Sequence, residues 1–203
     1  RPYPSIALGV FEATPLQVAS AYTLFANGGT IKPATSIARI VSGGKEIPVQ
    51  VQPSRAVARP DTTFLVTNMM RSVINEGTGA GARAAGFTQD AAGKSGTTND
   101  LRDAWFVGFT PELLTVVWVG LDDNQPLGLT GTQAALPIWT TFMQRALAGM
   151  PSTTFEPPDG ITFAEIDRDT GKLATYACPR TFREAFIQGT EPLEICDLHS
   201  FHP

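Results

Sequence analysis

Residues 103–121 read Asp103-Ala104-Trp105-Phe106-Val107-Gly108-Phe109-Thr110-Pro111-Glu112-Leu113-Leu114-Thr115-Val116-Val117-Trp118-Val119-Gly120-Leu121. Two runs rich in β-branched and aromatic side chains flank the turn signal Thr110-Pro111. This predicts antiparallel strands over residues 103–109 and 113–121. Neither run alternates strictly between apolar and polar. Nearly every position is apolar, the pattern of strands covered on both faces. A third strand is expected just upstream, over residues 91–98, joined through the turn residues Asn99-Asp100.

Helices are expected on either side of these strands. Thr14-Pro15-Leu16-Gln17 fits a capping box with Pro at the first helical position, and Asn27-Gly28-Gly29 ends the helix it starts. Asp61 is expected to cap a second helix, in which Leu65, Met69 and Val73, then Val66, Met70 and Ile74, recur at helical spacing and Gly77 is the stop. A third helix is expected to begin near Ala135, with Pro137 in its first turn, and to run through Ile138, Trp139, Phe142, Met143 and Leu147. Segments 35–41 and 47–51, across Ser42-Gly43-Gly44, predict a hairpin. Together these elements predict an α/β (α+β) fold: an antiparallel sheet with helices on both faces. The chain divides into a main part over residues 1–150, a Pro-containing linker over 151–160 and a small acidic module over 161–203. In that module, segments 161–166 and 173–177 are expected to form a hairpin around Asp167-Arg168-Asp169-Thr170-Gly171.

Composition excludes several functions. The chain has 203 residues, 42% of them hydrophobic, which supports a buried core and excludes wholesale disorder. A net charge of −4 gives no basic footprint for nucleic acid. No signal peptide opens the sequence, and the strongly apolar run 113–121 is about half of what spans a bilayer, so no membrane segment is expected.

The segment with chemistry in it is Gly93-Lys94-Ser95-Gly96-Thr97-Thr98. On a strand, Ser95 and Thr97 share a face, and Gly96 lets a ligand approach the backbone. A cation and two hydroxyl donors suit a carboxylate, and the Thr97 N–H is placed to face a developing oxyanion. The plainer reading is a polar edge strand. Other apparent motifs have dull explanations. Gly79-Ala80-Gly81-Ala82-Arg83-Ala84 matches a dinucleotide fingerprint but follows a helix rather than a strand, so Arg83 reads as a loop-bracing or solvated charge. Asp122-Asp123-Asn124 reads as turn chemistry. Asp100 and Asp103 read as ion-pair partners of Arg102, and Trp105, Trp118 and Trp139 as core packing.

Lys94-Ser95-Gly96 resembles the Lys-Thr/Ser-Gly strand motif of the transpeptidase domain of class A penicillin-binding proteins, the enzymes that cross-link peptidoglycan. The resemblance extends through residues 4–29 (PSIALGVFEATPLQVASAYTLFANGG), 74–83 (INEGTGAGAR), 103–123 and 130–139 (TGTQAALPIW), covering about residues 4–150 in order. It implies the serine penicillin-recognising fold, incomplete at the N-terminal side. Its activity would be a D,D-transpeptidase reaction, in which a serine attacks the D-Ala-D-Ala bond of a stem peptide and the acyl-enzyme passes to an amine of a neighbouring stem. Lys94, Ser95, Gly96 and Thr97 would bind the terminal carboxylate of the stem peptide or of a β-lactam, with Lys94 near the reacting groups and the Thr97 N–H in the oxyanion hole. No metal or organic cofactor is implied. The implied setting is the bacterial envelope, on the periplasmic face of the inner membrane, with an anchor outside this chain.

The family's nucleophile lies in an S-x-x-K helix, followed by an S-x-N motif. The sequence holds one S-x-x-K, Ser42-Gly43-Gly44-Lys45, in a segment whose glycines oppose a helix, and it holds no S-x-N. The nucleophile is therefore expected in the missing N-terminal part of the enzyme, and the apolar sheet edge left here is expected to promote dimerisation or to need that part as partner. Two alternatives remain: a β-lactamase or β-lactam sensor on the same fold, and a non-catalytic module binding wall peptides or a partner protein. The tail, which resembles a small module appended to some class A enzymes, holds Cys178 and Cys196, with His199 and His202 close behind. A disulfide between Cys178 and Cys196 is the favoured reading for an exported protein, worth ~3 kcal/mol in the chain-entropy model. Free thiols and a Cys-Cys-His-His metal set stay open, though the spacing matches no familiar zinc finger.

Overall fold

A computed structural model describes Pro4, Gly9, residues 11–49 and residues 51–199. Helix α1 (Pro15–Ala26) begins as its capping box dictates: the Thr14 hydroxyl accepts from the Gln17 N–H at 3.2 Å, and the Gln17 side chain accepts from the Thr14 N–H at 2.8 Å. Two left-handed glycines, Gly28 and Gly29, turn the chain out of it. A side chain at Gly29 would place its Cβ 2.3 Å from the Ala58 carbonyl oxygen, so only glycine allows that approach. Strand β1 (Thr30–Ile31) follows, then the hairpin β2 (Ile40–Ser42) and β3 (Lys45–Ile47), then β4 (Arg55–Ala56), which returns to pair with β1. The hairpin is shorter than the expected 35–41 and 47–51, and residue 50 lies outside the described residues. All six of its strand positions are exposed, and Pro48 removes a ladder donor directly after β3.

Helix α2 (Pro60–Asn75) starts two residues earlier than expected. Pro60, with φ already helical, takes the first position, so Arg59 is the N-cap and Asp61 falls inside the first turn. There its carboxylate accepts from the Thr62 N–H at 2.6 Å and from the Arg59 guanidinium. Asp61 is therefore not the cap, although its charge still favours the helix N-terminus. The buried stripe of α2 is Thr63, Phe64, Thr67, Met70 and Ile74. Met69, expected on the core face, is 62% exposed. A short α3 (Gly81–Ala84) follows.

Strands β5 (Ala92–Thr97), β6 (Ala104–Phe109) and β7 (Leu114–Val119) form the central antiparallel sheet in the order β5-β6-β7, as the quoted stretch predicts. Helix α4 (Gly131–Ala146) lies on one face, where Trp139 and Met143 bury with Phe87, Phe106, Ala135 and Leu136. The other face carries α1 and α2: Tyr22, Phe25 and Met70 pack with Ala92 and Phe109. Helices on both faces of an antiparallel sheet are thus observed. Trp139 meets this expectation most fully, at 0% exposure, with Nε1 donating to the Gly108 carbonyl at 3.2 Å. Trp118 does not: it is 40% exposed on the edge strand β7 and donates to Asp103 at 2.9 Å. Among the described residues, Arg102 makes its ion pair with Asp100, at 3.4 Å, and not with Asp103.

The C-terminal module corrects the expected hairpin. Strand β8 (Ile161–Asp167) pairs with β9 (Thr181–Ile187) over seven residues, from Ile161↔Ile187 to Asp167↔Thr181. Segment 173–177 contributes only single bridges from Leu173 to Ile166 and Ile195. That segment turns locally instead, with the Cys178 N–H donating to the Thr175 carbonyl at 3.1 Å. The module seats on α2 through Asn68–Glu184 at 2.8 Å, Arg168–Glu76 at 2.6 Å and the edge-on ring pair Phe64–Phe163.

Candidate active site

The Lys94–Thr97 segment occupies β5, which is an edge of the sheet among the described residues. The Thr98 N–H donates to the Asp103 carbonyl of the adjoining turn at 3.2 Å. Because bonding direction alternates along an antiparallel strand, the Thr97 N–H and the Ser95 carbonyl face the open edge rather than β6. The Lys94 ammonium folds back onto that Ser95 carbonyl at 2.8 Å, placing a positive charge at the same edge.

Ser95 and Thr97 share the α4 face of the strand, and each has a hydroxyl held by a neighbour. The Ser95 hydroxyl lies 3.2 Å from the Thr78 hydroxyl, on the loop after α2. The Thr97 hydroxyl accepts from the backbone N–H of Gly131, the first residue of α4, at 3.0 Å. With a lone pair engaged there, the Thr97 O–H is oriented to donate outward, which suits an anion. The helix N-terminus adds positive potential at the same place.

This junction depends on Gly131. A Cβ on it would lie 2.3 Å from the Trp105 carbonyl oxygen and 2.5 Å from that of Gly96. Helix α4 can therefore dock end-on against β5 and β6 only with glycine at that position. The helix begins at Gly131, four residues before the expected Ala135, because Thr130 and Gln133 form a second capping box. Pro137 sits in the helix interior rather than in the first turn. Gln133 and Pro137 are both exposed, so the Gln133 carbonyl that loses its helical donor faces water. Thr78, Thr130 and Gly131 are the site neighbours the sequence reading missed; the capping-box spacing Thr130-Gly131-Thr132-Gln133 was the legible signal.

Arg83 braces the loop that carries Thr78. Its guanidinium donates to Asn75 Oδ1 at 2.8 Å and 3.0 Å and to the carbonyls of Phe87 and Gln89 at 2.7 Å and 2.8 Å. Gly79–Ala84 follows α2 and not a strand, so the dinucleotide reading has no structural context. Ser42 and Lys45 face each other across the β2–β3 turn, paired as strand residues and exposed, which excludes the helical S-x-x-K arrangement there. At Asp122-Asp123-Asn124, Asp123 accepts from the Gln125 N–H at 3.2 Å and Asn124 has φ of 56°, ordinary turn geometry.

In the C-terminal module, the structure leaves Cys178 and Cys196 unbridged. The Cys178 sulfur is within reach of Thr175 Oγ1 at 3.5 Å, and the Cys196 sulfur faces His199 Nδ1 at 3.5 Å and Asp167 Oδ2 at 3.6 Å. Three members of the Cys-Cys-His-His set weighed from the sequence thus gather in space, with Asp167 as a fourth group; His202 lies outside the described residues.

With this geometry in place, comparison with known proteins is decisive. The family described as penicillin binding protein transpeptidase domain matches residues 3–144. The chain belongs to this family. The penicillin-binding protein 1A C-terminal domain matches residues 157–201. Penicillin-binding protein 1A of Aquifex aeolicus is 40% identical over 98% of the chain and 28% of its own length. Penicillin-binding protein 1A of Neisseria lactamica is 39% identical over 77% of the chain and 21% of its own length. Among solved structures, penicillin-binding protein 1A from Haemophilus influenzae superposes with a TM-score of 0.81 at 30% identity, covering 95% of the chain and 34% of that structure. The resemblance drawn from the sequence is borne out, as is the transpeptidase fold. The chain spans less than a third of the length of the Aquifex aeolicus and Neisseria lactamica relatives and about a third of the Haemophilus influenzae structure.

Proposed function

We propose that the chain is the substrate-cradling part of a peptidoglycan D,D-transpeptidase, with β5 as the wall against which the D-Ala-D-Ala end of a stem peptide, or a β-lactam, is held. The carrying observation is the open edge of β5, where the Lys94 ammonium, the Ser95 and Thr97 hydroxyls and the N-terminus of α4 converge. In this reading the Ser95 and Thr97 hydroxyls bind the terminal carboxylate, Lys94 supplies the positive charge, and Gly96 keeps the backbone approachable. The Thr97 N–H accepts the oxyanion of the tetrahedral intermediate. The nucleophilic serine comes from polypeptide outside these residues, since the one S-x-x-K here lies in a hairpin. Residues 1–150, 151–160 and 161–203 act as transpeptidase part, linker and C-terminal module; the two family matches, which fall on either side of residues 145–156, support this division. The setting is the periplasmic face of the inner membrane. No helix among the described residues is long and apolar enough to cross a membrane, and in this reading the anchor lies outside these residues.

The test is the intact mass of two proteins after incubation with a reactive penicillin. The 203-residue chain should gain no adduct, and a polypeptide extended to the length of the relatives should gain one per molecule. An adduct on the short chain would place a nucleophile within it and defeat the assignment. No adduct on the extended protein would favour a non-catalytic binding module.

A further inference from the structure

Outside the β5 site, the structure gathers four metal-binding side chains in the C-terminal module. Asp167 ends β8, and Cys178 sits in the loop between β8 and β9. Cys196 and His199 lie on the closing segment, which is held to Leu173 by backbone bonds of 2.9 Å from Leu173 N to Glu194 O and 2.8 Å from Cys196 N to Leu173 O. One ligand atom from each of the four lies within 4.8 Å of all the others. A tetrahedral zinc ion with Zn–S bonds of about 2.3 Å needs sulfurs about 3.8 Å apart, so small side-chain movements close the site.

A second observation points to a cation. The Asp167 side chain is 0% exposed, and its two oxygens are treated differently. Oδ2 accepts from the Thr170 N–H at 3.0 Å and the Thr170 hydroxyl at 2.7 Å. Oδ1 is buried with no hydrogen-bond partner. Its nearest charge-bearing neighbour is His199 Nδ1 at 3.4 Å, which carries charge only when protonated. A buried carboxylate oxygen without a donor is costly unless a cation meets it.

We propose that Asp167, Cys178, Cys196 and His199 form a four-ligand zinc site that locks the β8–β9 module and its closing segment together. Two thiolates and an imidazole select zinc over magnesium or calcium. Four protein ligands leave no open position, which makes the site structural. Asp167 binds through Oδ1 and His199 through Nδ1. The His199 Nε2 faces Asp169 Oδ2 at 3.6 Å, so that carboxylate orients the ring from outside the coordination sphere. The Thr175 N–H donates to the Cys178 sulfur at 3.3 Å and supports the thiolate. Binding forms two Zn–S, one Zn–N and one Zn–O bond and releases two thiol protons to solvent, with no change of oxidation state. A disulfide would consume both sulfurs and leave Asp167 Oδ1 unmet.

The test uses the full-length protein, purified without chelator from zinc-containing medium. Metal analysis should find one zinc per chain. Thiol titration in denaturant without reductant should find both cysteines reduced. Replacement by Co²⁺ should give intense thiolate-to-cobalt charge-transfer absorption and the strong visible bands of a tetrahedral site. Cys178→Ser should weaken zinc binding at least ~100-fold. If that variant does not fold, Asp169→Asn keeps all four ligands and should weaken binding about 10-fold. Zinc-free protein with no titratable thiols would establish the disulfide and overturn the proposal. Reduced protein that binds neither Zn²⁺ nor Co²⁺ at micromolar concentration would overturn it as well. None of these readouts depends on transpeptidase activity.

Discussion

Thr97 is bound at both ends of its role: its side chain accepts from Gly131 and its own N–H faces the open sheet edge. Removing the hydroxyl deletes one donor to an anionic ligand and unpairs the Gly131 N–H, whereas the backbone donor stays. Thr97→Val in the full-length enzyme should therefore slow penicillin acylation by about 10- to 100-fold, the range for a hydrogen bond to a charged group. Thr97→Ser, which keeps the hydroxyl, should restore most of the rate. Stopped-flow acylation of both variants checks this, and equal rates for Val and wild type would remove the side chain from carboxylate binding. The motif Lys94-Ser95-Gly96-Thr97 was legible in the sequence because its residue types are chemically distinctive. Thr78, which meets Ser95 from 17 positions away, was not, because nothing local connects them.

Helix α4 shows how one element converts sequence into site geometry. Its N-terminus is set by the Thr130–Gln133 box and by the contact of Gly131 with β5 and β6, and its buried face is anchored by Trp139 under Gly108. Thr130→Ala should cost about 1 kcal/mol of stability, the usual value of an N-cap, and shift the chemical-denaturation midpoint accordingly. It should also lower the acylation rate, because the end of the helix that fraying loosens is the end that holds Thr97. Stability loss with unchanged acylation would show that the cap is structural only. Expecting the helix to start near Ala135, with Pro137 in its first turn, followed the rule that proline belongs there. The tertiary contact at Gly131 overrode it, and solvent exposure of Gln133 and Pro137 made the interior proline tolerable.

Across the whole molecule, Asp90 joins the main part of the chain to the 151–160 segment. Its carboxylate pairs with Arg71 of α2 at 2.8 Å and accepts from the Phe155 N–H of the 151–160 segment at 3.1 Å. Phe155 then packs edge-on against Phe109 at 5.6 Å. A cleft of about 450 Å³ lies beside this junction, lined by Asn68, Arg71, Phe155, Phe163 and Arg183 among others, away from the Lys94 strand. Asp90→Ala should destabilise the protein by about 2 kcal/mol, since it removes two hydrogen bonds that involve a charged, largely buried group. Limited proteolysis should then cut within 145–160 faster than in wild type. Unchanged cleavage would mean that contacts such as Asn68–Glu184, Arg168–Glu76 and Phe64–Phe163 hold the module in place without Asp90.

The sequence by itself determined the three central strands, the starts of α1 and the existence of all three long helices, because capping residues, glycine stops and apolar runs act over a few positions. It also determined the family, through motifs spread in order along residues 4–150. Tertiary structure decided the rest. It chose which α2 residues are buried, turning Met69 outward and Thr63 and Thr67 inward, because partner surfaces and not periodicity alone select a face. It paired β8 with β9 and not with 173–177, since register is settled by the number of compatible pairs a distant segment offers. And it added Asp167, at the end of β8, to Cys178, Cys196 and His199, which the sequence offered only as part of an open metal set, because nothing local links Asp167 to residues from two other segments of the chain.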